Sequence, residues 1–161
     1  MGWTNVDILP GRGEIQDDIT TLELVDDSTA DIIYASHVLE HTGRHAWCNT
    51  LNLWVRKLKP GGIIRIAVPN FSAAVEWYSR TGDINSVMGL VTGGQRDIHD
   101  YHNVIFDKHL LTKGLLDAGC ESVREWDWRT TDHADHDDYS QSYLPHMDKE
   151  GGNANVAKLG R

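Results

Sequence analysis

Long apolar runs are missing from this 161-residue sequence: the longest, residues 63–69, is interrupted by Arg65 and falls far short of the ~20 residues a membrane-spanning helix needs. A basic segment leading into an apolar one is also missing at the start, so no secretory signal is expected. Cysteine is sparse. Cys48 and Cys120 lie far apart and neither belongs to a C-x-x-C pair, which removes support for a disulfide framework or a cysteine zinc site. A reduced, cytoplasmic setting follows as the expectation. Positive charge is in deficit, with 15 Lys and Arg against 24 Asp and Glu and a net charge of -9. That balance disfavours non-specific binding to nucleic acid or to an anionic membrane, while leaving room for a local basic patch. Internal repeats and low-complexity tracts are absent.

What is present suits one globular domain, since 40% of residues are apolar and the length can enclose a core. Residues 3–8 are rich in strand formers and run into the turn signal Pro10-Gly11. A second short strand includes Ile15 and closes at Asp17-Asp18. Residues 30–36, brief, β-rich and bounded by polar residues, predict a buried strand. Trp47, Leu51, Trp54, Val55 and Leu58 recur at helical spacing and define one face, with Pro60-Gly61-Gly62 as the stop. Residues 63–68 predict another buried strand. Ser72 is placed as the cap of a helix ending before Gly82, a further helix follows Asp83, and residues 92–106 are expected to be a loop. Asp107 caps a helix ended by Gly119, and residues 123–129 predict a last strand with Trp126 and Trp128 facing one side. Strands alternating with helices predict an α/β sandwich with a mostly parallel sheet. Ligands in such sheets bind at the carboxyl ends of the strands, which selects Asp7, Asp18, Ser36-His37 and Pro69-Asn70.

The run Asp31-Ile32-Ile33-Tyr34-Ala35-Ser36-His37-Val38-Leu39-Glu40-His41, followed by Leu58-Lys59-Pro60-Gly61-Gly62 and a strand ending Val68-Pro69-Asn70, resembles class I S-adenosylmethionine (SAM)-dependent methyltransferases. It is similar above all to small bacterial and phage members, which also have counterparts of Gly93-Gly94-Gln95, His102-Asn103, Phe106-Asp107, Ala118-Gly119, Trp128-Arg129 and Pro145-His146-Met147-Asp148. The resemblance covers residues 2–150. It implies a Rossmann-like sheet, SAM as cofactor and methyl transfer to an oxygen or nitrogen of an acceptor. It further implies that Asp7 accepts the ribose hydroxyls, Asp18 and Ile19 face the adenine, and Ser36 and His37 line the methionine part.

The family's opening strand and Gly-x-Gly loop would precede Trp3, and a final strand would follow residue 148. Neither has a counterpart here, so the expected sheet lacks its first strand and its last is in question. A truncated gene product, a sheet completed by a partner chain or second copy, and a degenerate relative all fit. Residues 1–150 are read as the methyltransferase-like domain and 151–161 as a flexible tail. A non-catalytic binding or regulatory module remains the alternative function.

His41 is the candidate base, because an imidazole titrates near neutral pH, although many methyl transfers need only alignment. Gln95 and His102 are assigned to acceptor contact in the long loop. His133-x-x-His136 among aspartates matches no metal signature and reads as a solvated loop, so no metal is expected. The acidic charge leaves a small metabolite or a glycan as the acceptor, with nucleic acid disfavoured.

Overall fold

The computed structural model describes residues 2–132 and 134. Two parallel strand pairs and four α-helices make up its regular structure. Strand β1 (Val6–Asp7) pairs with β2 (Ile15–Gln16), and β3 (Ala30–Ser36) with β4 (Leu58–Ala67). The mixed α/β order is consistent with part of a Rossmann-like fold. Among the described residues, the ladder is two separate pairs rather than one continuous sheet.

Parallel neighbours ordinarily need a crossover of a dozen or more residues. Here residues 8–14 suffice, because the chain doubles back tightly. Asn5 holds the return with its side-chain amide on the Arg12 carbonyl at 2.8 Å, and the Ile15 amide donates to the Asn5 carbonyl at 3.1 Å. Gly13 makes this approach feasible: a Cβ there would come within 2.7 Å of the Asn5 oxygen.

Helix α1 (Trp47–Lys57) forms where the apolar periodicity places it, with Leu51 and Trp54 buried. Its Trp54 indole donates to the Ile19 carbonyl at 2.8 Å, tying the helix to the segment after β2. Lys57, in the last turn, is buried although charged, and its ammonium reaches Asp27 at 2.7 Å. Strand β4 begins at once and includes Pro60-Gly61-Gly62, and its register against β3 shifts between Ala30 and Ile32 to absorb them.

Helix α2 (Phe71–Thr81) is capped by Asn70, whose side chain accepts from the Ser72 amide at 3.1 Å. The expected cap, Ser72, is therefore the donor: Asn70 has the extended backbone an N-cap requires, and Ser72 lies inside the first turn. Helix α3 (Asn85–Thr92) packs on α2, and α4 (Lys108–Asp117) starts from Asp107, which accepts from the Leu110 amide. Residues 123–129 do not form the expected strand. The Trp126 indole donates to the Ile66 carbonyl and its ring meets Tyr34 edge-on, so the segment is held by side chains without a backbone ladder.

The main core joins the strand pairs with α1 and α4, while Ala74 and Val87 form a second, smaller cluster between α2 and α3. Leu39, Leu51, Trp54, Ile66, Val68, Phe106 and Leu115 are buried together, with Val6, Ile19 and Ile33 packed against them. Among the described residues no helix is long and apolar enough to cross a membrane.

Candidate active site

The strand ends place the sequence candidates as expected along the chain. Asp7 closes β1, Asp18 follows β2, and Ser36 closes β3 with His37 after it. Asp7 Oδ1 accepts from the Leu9 amide at 2.7 Å, a local turn that fixes the side chain and leaves Oδ2 without a partner among the described residues. The acid pair after β2 divides its work. Asp17 takes the Asp18 and Leu24 amides and holds the loop, whereas Asp18 uses only Oδ1, for the Thr20 amide and hydroxyl. Both Asp7 and Asp18 thus retain a carboxylate oxygen able to accept a further hydrogen bond. Ile19 lies beside them with its side chain partly buried against the core.

The backbone turns sharply after β3. His37 adopts φ 52°, a left-handed conformation rare for a non-glycine residue, while its amide donates to the Ala67 carbonyl at 2.8 Å. The turn leads into a short 3-10 helix, Leu39–His41, that carries Glu40 into the interior at 1% exposure. His37 and Glu40, three apart on this tight turn, bring Nδ1 and Oε1 to 3.0 Å.

Opposite stands the loop after α3. The amides of Asn103 and Val104 donate to the Glu40 carbonyl at 2.8 and 3.2 Å, and the Asn103 side chain donates to the His41 carbonyl at 2.9 Å. His41 and His102, far apart in sequence, meet edge to face at 4.8 Å between ring centres. His41 Nδ1 lies 3.0 Å from the Tyr101 carbonyl and His102 Nδ1 2.9 Å from that of Leu90. Burial, the largest influence, pushes the His102 pKa below the usual histidine range, and the Leu90 carbonyl only partly opposes it. The loop is closed by Asp100, which receives Nε of Arg96 at 2.7 Å and is thereby held at about 2.

Of the residues singled out in the sequence, His37, His41 and His102 are thus gathered around one carboxylate. Gln95 belongs to the same loop, but its side chain donates to the Thr92 carbonyl. The sequence reading missed Glu40 as the centre of the group. Its signal was the spacing His37-x-x-Glu40, which a tight helical turn folds onto one side. His133, His136 and His146 lie outside the described residues, as do residues 151–161. A cavity of about 860 Å³ runs along β4 and α4 and includes none of these site residues.

Residues 8–66 match the family model of a methyltransferase domain, and no curated protein matches the chain. That match supports a class I SAM-dependent methyltransferase domain, a class that the α/β order also fits. The match takes in Asp18, Ile19, Ser36, His37, Glu40 and His41, begins directly after Asp7, and ends before Gln95 and His102. Domains of this family typically use SAM.

Proposed function

We propose that this chain transfers the methyl group of SAM to an oxygen or nitrogen of a small-molecule or glycan acceptor. The family match over residues 8–66 supports the reading, and within that stretch Asp18 follows β2 while Ser36 closes β3 with His37 after it. Bound SAM supplies an electrophilic methyl on a sulfonium, and a lone pair on the acceptor displaces the thioether in line, giving S-adenosylhomocysteine.

In this reading Asp7 accepts from the ribose hydroxyls through the oxygen its turn leaves open, and Asp18 takes the adenine amine beside Ile19. Ser36 and His37 line the methionine part. The loop bearing Gln95 and His102 stands on the acceptor side. Alignment of acceptor and methyl is the main task asked of the protein, and His41 is the candidate to take the acceptor's proton as the new bond forms. Its Nδ1 is occupied by a carbonyl, which leaves Nε2 for that role.

Calorimetry with SAM tests the site. Asp7→Ala is expected to weaken binding by about 1–3 kcal/mol, roughly 5- to 150-fold, the usual penalty for unsatisfied hydrogen-bond partners. Unchanged affinity in a folded variant would remove Asp7 from the cofactor site.

A further inference from the structure

Glu40, His41 and His102 offer a carboxylate oxygen and two ring nitrogens, all within 4.8 Å of one another. Glu40 is 1% exposed, and neither of its oxygens has a hydrogen-bond partner among the described residues. His37 Nδ1 reaches 3.0 Å from Oε1 but lacks the alignment of a hydrogen bond. A carboxylate buried in this way is strongly unfavourable unless positive charge is brought to it, by a protonated His37 in ion-pair range or by a bound cation.

The two histidines do not satisfy it directly. A carbonyl oxygen only accepts, so the Leu90 and Tyr101 carbonyls assign the proton of each neutral ring to Nδ1. Each Nε2 is then a lone pair. That of His102 lies 3.9 Å from Glu40 Oε1, beyond hydrogen-bonding range. Lone pairs and a carboxylate converging without a donor among them repel one another, and a cation in their midst reverses the sign. Backbone carbonyls holding the far nitrogen are also the usual means by which metal-binding histidines are fixed in tautomer and orientation.

We propose that Glu40, His41 and His102 form a binding site for one divalent first-row transition-metal ion, held by a Glu40 oxygen and Nε2 of both histidines. Two nitrogens and one oxygen suit zinc, manganese or iron better than magnesium or calcium, which prefer all-oxygen surroundings. Ligands about 2.0–2.1 Å from a tetrahedral zinc stand about 3.3 Å apart, so side-chain rotation of about an ångström closes the cluster. The framework is in place beforehand, because Asn103 and Val104 already pin the Glu40 turn to the His102 loop. Three protein ligands leave a position open for water or for a hydroxyl oxygen of the acceptor; that last role alone rests on the methyl-transfer reading, and because the ion takes the Nε2 lone pair of His41, that histidine acts as a base only in the metal-free chain.

The test uses the full chain with zinc alone. After metal loading and gel filtration, elemental analysis is expected to find one zinc per chain. In nitrogen-15 spectra of the wild-type protein, zinc should move the Nε2 signals of His41 and His102 and leave their Nδ1 protons in place. Glu40→Gln and His41→Ala, checked for folding by circular dichroism, should each weaken zinc by more than about 10–100-fold, the loss typical of residues that merely support ligands. His133→Ala/His136→Ala should bind as the wild type does. No zinc retained by the wild type, zinc that survives Glu40→Gln, or zinc that leaves with the His133/His136 pair would overturn the site. SAM calorimetry on the same samples reads the methyltransferase assignment separately, so either can fail alone.

Discussion

Asp100 illustrates how one side chain organises a site it does not enter. Its carboxylate accepts from the Arg96 amide and from Arg96 Nε, and its backbone carbonyl accepts from the Gln95 amide. Gly93 makes the closure possible, since it holds φ 81° and a Cβ there would lie 2.3 Å from the Asp100 carbonyl. The arginine bond is the largest influence holding Asp100 at about 2, against an ordinary 3.8. A carboxyl whose folded pKa is depressed stabilises the fold above its unfolded value and loses that contribution as pH falls through the folded one. The clasp is therefore expected to be intact at pH 5 and to open between about 4 and 2, read by the Asp100 carboxyl carbon shift and the Gln95 amide. Asp100→Asn should remove that step. The sequence indicated a glycine-bearing loop here and proposed Gln95 and His102 as its functional residues. The clasp was not legible, because it depends on a φ that composition does not reveal.

Among the elements, those determined by local chemistry were legible and those needing a distant neighbour were not. Helix α1 followed from its apolar spacing, and α4 from the Asp107 cap, whose side chain takes the Leu110 amide at 2.7 Å. Asp107→Ala is expected to destabilise the protein by about 1 kcal/mol, measurable in denaturant, with Asp107→Asn recovering most of the loss. An unchanged midpoint for the alanine variant would mean that packing of Leu115 alone sets the helix. Residues 123–129 show the opposite case. The sequence put Trp126 and Trp128 on one side of a strand, but Trp126 is held by Tyr34 and the Ile66 carbonyl without a strand partner. The Asn70 cap was displaced by two residues for a related reason: both Asn70 and Ser72 are good caps, and only backbone geometry decides between them. At the candidate site, the strand-end residues were visible in the sequence. The meeting of His41 with His102 was not, since it arises from the pairing of two distant loops.

For the molecule as a whole, the central question is whether two strand pairs without a shared ladder behave as one cooperative unit. Backbone hydrogen bonds alone would allow β1 and β2 to open independently, because parallel pairs this short have little stability of their own. Side chains join them. Trp3 meets Tyr34 of β3 edge-on, the Trp54 indole reaches past β2 to the Ile19 carbonyl, and Val6 and Ile19 pack on the same core as Leu51 and Phe106. Leu51 is fully buried in that core. Truncating it to alanine is expected to remove about 2–5 kcal/mol. If the core couples the pairs, amide exchange at Ile15 and Asp17, which bridge β1 and β2, should accelerate by the same free energy as exchange at Asn103 and Val104, which anchor the Glu40 turn. Faster exchange at Asn103 and Val104 alone would mean that β1 and β2 and the histidine cluster open separately. The same outcome would limit how far metal at Glu40 could stabilise a cofactor held at Asp7, since a ligand strengthens only the region that unfolds together with its site.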